Sequence, residues 1–281
     1  MSALFAGQAL PSVLAPVLMD ARIWRASSLG RSNSPCVPSG FAALDAELPG
    51  GGWPTQMLSE ILLHHSTCAE WRLLGPSLRS LLTPPPLART GRMGARKAMP
   101  TQPLRQMLLI NPPQMPHLPG LLGFGIQPQQ LIWISPPDAR QTLWVLEQAI
   151  KANAAAVVLA WLPQAQSVQI RRLQAAALVS QAPVFVFRPW QVRQQSSAAP
   201  LRVLLQIDSD WSLRVHVLKR RGPAHVGWLS LPSIPARLGD MLVPRVLQAR
   251  LRSHLPTKLA TREFEHEQTT LAGAAVLAEQ P

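Results

Sequence analysis

Five short apolar runs limit the fold of this 281-residue chain more than any other feature: "MLSEILL" (57–63), "QMLLIN" (106–111), "QLIWIS" (130–135), "AAVVLAW" (155–161) and "PVFVFR" (183–188). Most of them do not alternate between apolar and polar residues. Strands covered on both faces read this way, because neither face needs polar side chains. Helical patterns fall between them. After "SPP", Asp138 is placed to cap a helix with Gln141 three residues on, and Leu143, Leu146 and Ile150 recur on one face, leaving Glu147 on the wet side. "SVQIRRLQAAALVS" (167–180) turns Ile170, Leu173 and Ala177 inward and Arg171 and Arg172 outward.

Beyond Arg188 the pattern changes. "LRVLLQI" (201–207) and "LRVHVLKRR" (213–221) alternate, with "DSDWS" between them, which predicts an antiparallel hairpin. The fold class expected is α/β, a three-layer arrangement with a mainly parallel central sheet and an antiparallel extension. The organisation expected is an N-terminal segment (1–37), a core (38–235) carrying a Pro-rich basic insert at 82–103, and a C-terminal helix with a tail (236–281). The helix "PRVLQARLRS" sets Val246, Leu247 and Leu251 on one side, a stripe suited to docking on a partner.

The chain carries 27 Lys and Arg against 14 acidic residues, a formal charge of +13. An excess of this size favours an anionic partner, nucleic acid first, although a proteome rich in arginine produces it too. Its 29 prolines imply many loops. Cys36 and Cys68 have no metal-ligand spacing, and the seven histidines form no H-E-x-x-H or C-x-x-C type group. A reduced, cytoplasmic setting with no metal is expected. Asp208 and Asp210 fall in a turn, where Asp is favoured for backbone reasons. Glu263, Glu265 and Glu267 read as a solvated face. No nucleophile elbow surrounds Ser66 or Cys68. No catalytic residue, cofactor or enzyme activity is expected.

The stretch "PSGFAALDAELPGGGWPTQMLSEI" (38–61) resembles the entry to the RecA recombinase core, with its S-G-x-x-x-L-D turn, glycine-proline turn and first strand ending in Glu-Ile. The G-G-G-W-P pattern, with "RLQAAA", "APVFVFRP" and "LKRRGP", is similar to the ImuA family, RecA-like accessory proteins of bacterial translesion synthesis grouped with the SulA-like division inhibitors. The likeness runs over roughly residues 20 to 235.

Carried across residue by residue, the resemblance puts the phosphate-binding lysine at Ala69, the magnesium-binding hydroxyl at Glu70 and the Walker B aspartate near Ala160. The catalytic glutamate falls within "NPPQ", where there is no acid. Without the lysine and the acids, a bound triphosphate loses its cation and its metal. The resemblance therefore implies a non-catalytic scaffold that keeps the glycine turn for the fold, with Asp45 bracing it. It implies SOS-induced error-prone translesion DNA synthesis as the setting. The partners implied are an ImuB-like inactive relative of Y-family polymerases, an error-prone replicative-type DNA polymerase, RecA, and single-stranded or primer-template DNA. The alternative it leaves open is a SulA-like inhibitor acting on the tubulin-like division protein.

In RecA-like domains the loops after the fourth and fifth strands face DNA, and here these are 162–173 and 188–200. The second holds Arg188, Trp190 and Arg193 among glutamines and serines. Arginine suits phosphate and tryptophan suits base stacking, while an ordinary connection with Trp190 tucked on the core reads equally well. Lys219, Arg220 and Arg221 complete the expected DNA surface.

Overall fold

The computed structural model describes residues 35–64, 69–83, 104–208 and 211–234. Among them, β1 (Cys36–Val37) and β2 (Trp53–Pro54) form a small antiparallel pair around α1 (Ala42–Asp45). The other strands are β3 (Leu58–Leu63), β4 (Met107–Ile110), β5 (Leu131–Ile134), β6 (Val157–Trp161), β7 (Val184–Pro189), β8 (Leu201–Ile207), β9 (Leu213–Lys219) and β10 (Leu229–Leu231). They build one sheet in the order β10-β9-β8-β3-β7-β6-β4-β5. From β8 to β5 all neighbours are parallel, and β9 and β10 extend the sheet antiparallel.

The α/β class and the antiparallel extension thus follow the patterning. Helix α2 (Ala69–Leu82) packs Leu73, Leu74 and Leu78 on one face of the sheet, together with Leu44 of α1 and Leu121 of α3 (Leu118–Gly123). The opposite face is covered by α4 (Ala139–Ala152), through Leu146 and Ile150, and by α5 (Ser167–Ala177), through Ile170 and Leu173. A period-2 strand must then bury both parities, so all six side chains of β3 and all five of β6 are buried. β5 departs from the expectation of full burial. It is the edge strand, and Trp133 on it is exposed.

The capping signal at α4 is confirmed: Asp138 Oδ1 accepts from the Gln141 N–H at 2.7 Å. Asn153 ends the helix in the left-handed region, φ 48°. Glu147 does not lie on the wet side. It is buried between Lys151, one turn on in α4, and Arg172, which links it to α5. The pairing of β1 with β2 also brings Cys36 and Val37, placed by the sequence reading in the N-terminal segment, into the folded body. Among the described residues no helix is long and apolar enough to cross a membrane.

Candidate nucleic-acid interface

The glycine-rich entry is a packing device. Gly40 lies at φ 84°, and a Cβ there would sit 2.3 Å from Pro76 Cβ of α2. A Cβ on Gly52 would lie 2.4 Å from the Val37 carbonyl oxygen. Asp45 Oδ1 accepts from the Ser39 N–H at 2.8 Å, so its carboxylate does brace the turn. Ser77 of α2 donates to the Pro38 carbonyl at 2.9 Å, holding the turn on the helix.

Where the resemblance would seat a triphosphate, the chain is apolar or acidic. Ala69 opens α2 and is buried, and Ala160 is buried in β6. Glu70, in the first turn, is 4% exposed. Burial pushes its carboxyl up to about 7, against the smaller opposing pull of its own backbone N–H and of the Trp161 indole. The Trp161 approach falls short of hydrogen-bond geometry, since Glu70 Oε2 and Trp161 Nε1 are both buried without a hydrogen-bond partner. Trp161 stacks on Phe187 at 4.7 Å, and both line a cavity of about 430 Å³ at the carboxyl ends of β3, β4, β6 and β7. Among the described residues no group of His, Cys, Asp or Glu could hold a metal ion.

On the other face of the sheet, β3 carries a buried acid. Glu60, 0% exposed, meets Arg188 Nη1 at 2.7 Å through Oε1. Its Oε2 accepts from Arg202 Nε at 2.9 Å and from Ser197 Oγ at 2.6 Å. Arg202 also donates to the carbonyls of Val192 (2.9 Å), Arg193 (3.2 Å) and Gln195 (3.0 Å). These bonds fasten the connection from β7 to β8 across β3, because β3 lies between those two strands. The segment 188–200 is therefore a fastened strap, its first part a 3₁₀ turn (Trp190–Gln194).

This placement corrects the expectation for Arg188. At 4% exposed, with its Nη groups on Glu60 and on the Ala165 carbonyl, it does not project as a surface phosphate contact. An apolar strand ending in a lone arginine needs a buried acid for it, and Glu60, 128 residues earlier on the adjacent strand β3, is that acid.

The other expected residues divide. Trp190 is half-buried against Leu62, Val192 and Leu204, stacks on His64 at 4.7 Å, and carries the Arg193 guanidinium 4.0 Å from its ring centre. Lys219 is exposed, with Nζ on the Ser197 carbonyl at 2.8 Å. It shares the face of Arg202, its register partner, because the pairing slips between Arg202 and Val203. Trp190, Arg193 and Lys219 thus gather around one strap. Arg220 turns away to Glu47, which His225 also contacts at 3.1 Å, and Arg221 is exposed. Val246, Leu247 and Leu251, and the basic insert from residue 84, lie outside the described residues.

Sequence reasoning did not single out Arg202 or Ser197, and it read His64, with His65, as a surface turn and not as a ring packed on Trp190. Arg202 had a signal: it is a charge at a strand position whose neighbours are all apolar. His64 and Ser197 had none, since each gains its role from residues far away in the chain.

Both expected DNA loops meet at one cleft of about 550 Å³. Pro163 to Ser167 form one side, and Arg188, Val192, Gln195 and Ser196 the other. Among the described residues no acid lines it.

No protein-family model matches the chain. Over 106 residues it is 31% identical to the cell division inhibitor SulA of Photorhabdus laumondii. The match covers 37% of this chain and 60% of that protein, so the chain spans about three fifths of the length of the relative it matches.

Proposed function

We propose that the chain is a RecA-like accessory protein without ATPase chemistry, acting in SOS-induced error-prone translesion DNA synthesis. In this reading it gathers an ImuB-like inactive polymerase relative and an error-prone replicative-type polymerase on single-stranded or primer-template DNA, with RecA as a further partner. It works in the cytoplasm, at the nucleoid. The observation that carries the non-catalytic part is the buried Glu70 at the start of α2. Ala69 and Ala160, at the positions matched to the phosphate-binding lysine and the Walker B aspartate, supply neither a cation nor a metal ligand, and Glu70 beside Ala69 supplies no positive charge for phosphate. The DNA part is supported by the +13 charge and by the acid-free cleft beside Trp190 and Arg193.

Co-purification with the ImuB-like protein, with and without DNA, tests the adaptor reading. Recovery of that protein is the expected result, and its absence under both conditions overturns it.

A second reading is inhibition of cell division through the tubulin-like ring protein, with which the match to SulA over 37% of the chain agrees without favouring it. A pull-down from DNA-damaged cells separates the two. Polymerase components support the first, and the division protein supports the second.

A further inference from the structure

Strand β10 runs in the same direction as β8 and β3, so the chain leaves the sheet at the edge that carries the cavity of about 430 Å³. Leu229 of β10 lies on one cross-sheet line with Val215, Leu205 and Leu63, and Leu63 is on the cavity wall. Past Leu231 the exit is held by Arg72 of α2. Its Nε donates to the Ser233 carbonyl at 3.1 Å and its Nη2 to Ser233 Oγ at 2.7 Å. The neighbouring Trp71 ring lies 6.2 Å from that of Trp161, also on the cavity wall. Residues 235–281 therefore set out from a point fixed beside the cavity.

The wall is mostly apolar: Leu63, Trp161 and Phe187, with Pro113, Pro163 and Pro189. Arg188, on the same wall, has its guanidinium committed to Glu60 and to the Ala165 carbonyl. A pocket of this size and lining suits apolar side chains. Two residues on from Pro113, the apolar surface continues outside. Met115, Leu118 and Leu122 are exposed, the two leucines one turn apart on α3, while Leu121 between them faces the core. Cavity and helix face make one apolar strip along the carboxyl edge of the sheet, the kind of surface that marks a docking site.

We infer that the chain's own tail docks on this strip. Met241, Leu242 and Val243 enter the cavity, and the stripe of Val246, Leu247 and Leu251 lies on Met115, Leu118 and Leu122. The span fits. From β10 to β6 is five strand spacings, roughly 24 Å. Eight extended residues, 234–241, reach about 26 Å, which brings Met241 to Trp161. Arg245, Arg250 and Arg252 stay in water. The inference rests on neither the translesion nor the DNA reading. A partner that takes the stripe has to displace it from the strip first.

Disulfide trapping in the full chain, with Cys36→Ser and Cys68→Ser as background, tests the docking. Val243→Cys is combined either with Gln191→Cys, on the exposed cavity rim, or with Val226→Cys. Val226 is exposed in the connection from β9 to β10, at the opposite edge of the sheet. A docked tail raises the effective concentration at one site only, so the bond to position 191 is expected to form roughly tenfold faster than the bond to 226. Equal rates overturn the docking. Bonds between chains in place of bonds within one chain make a second copy the occupant and overturn the intrachain form.

Leu247→Ser with Leu251→Ser should abolish the preference for 191, and a preference that survives overturns the role of the stripe. The same pair of substitutions in the otherwise unaltered chain gives a readout free of the cysteine variants. Amide exchange over 114–124 should speed up severalfold while β9 keeps its protection. Unchanged exchange at 114–124 overturns the docking, and so does an equal acceleration in β9, since the stripe then supports the whole core.

Discussion

Arg188 reaches back from the end of β7 to place Nη1 2.7 Å from Glu60 Oε1, although its register partner on β3 is Leu62. The two are 128 residues apart in the chain, and both are buried. A pair of this kind is weak evidence for net stability, but losing one partner strands the other in low dielectric. Arg188→Ala is therefore expected to cost about 3–5 kcal/mol of unfolding free energy, read by urea denaturation. Amide exchange at 190–197 should speed up more than exchange at β6, because the strap loses its anchor. Equal protection loss across the sheet would show that the pair holds no particular segment.

Glu70 sets a pH dependence. Its folded-state pKa is raised to about 7 from 4.5, so the folded chain holds a proton that the unfolded chain releases. Stability is then expected to fall as pH rises from about 4.5 through 7, by an amount on the order of 3 kcal/mol for this group. Glu70→Gln should remove that slope and leave the protein more stable than wild type at pH 8. Chemical denaturation at pH 5 and pH 8, for both proteins, is the measurement.

Nucleotide binding is expected to be absent. A fluorescent ATP analogue should show no saturable signal with the wild type, because Glu70 occupies the turn of α2 where phosphate charge would gather. Tight binding that Glu70→Ala weakens would contradict this.

Trp190 joins the expected DNA face only if a base can take one face of its ring from His64 or Arg193, both of which pack on it. Trp190→Ala is then expected to weaken single-stranded DNA binding by about 1–3 kcal/mol. Replacing Arg193 should lower the slope of affinity against salt by about one unit. Fluorescence anisotropy across a salt series checks both, with Tm as a control because Trp190 also packs on Leu62 and Leu204. Deleting the basic insert at 88–97 should leave the Trp190 effect intact.

Gly40→Ala is expected to destabilise the chain by on the order of 2–3 kcal/mol. It adds a Cβ against Pro76 and places a side chain at φ 84°. A thermal melt within 1–2 °C of wild type would show that the turn has room to shift, a small change for a domain of this size.

The sequence alone determined the parts of this protein whose signals are local. Apolar runs without alternation marked β3, β4, β6 and β7 because both faces of a central strand are covered. Asp138 announced α4 because a cap acts within four residues. Gly40 and Asp45 announced their turn because its geometry is set within seven residues.

Tertiary structure alone decided what the charges do. Arg188, Arg193, Lys219 and Arg220 are all cations near strand ends, and nothing local distinguishes them. Sheet order puts β3 between β7 and β8, which brings Glu60 to Arg188 and Arg202 and draws the connection over it as a strap. Glu47 takes Arg220 in the same way, across 173 residues. A charge is exposed or buried according to the partner it finds in space. That partner is fixed by strand order and register, which no stretch of a few residues encodes.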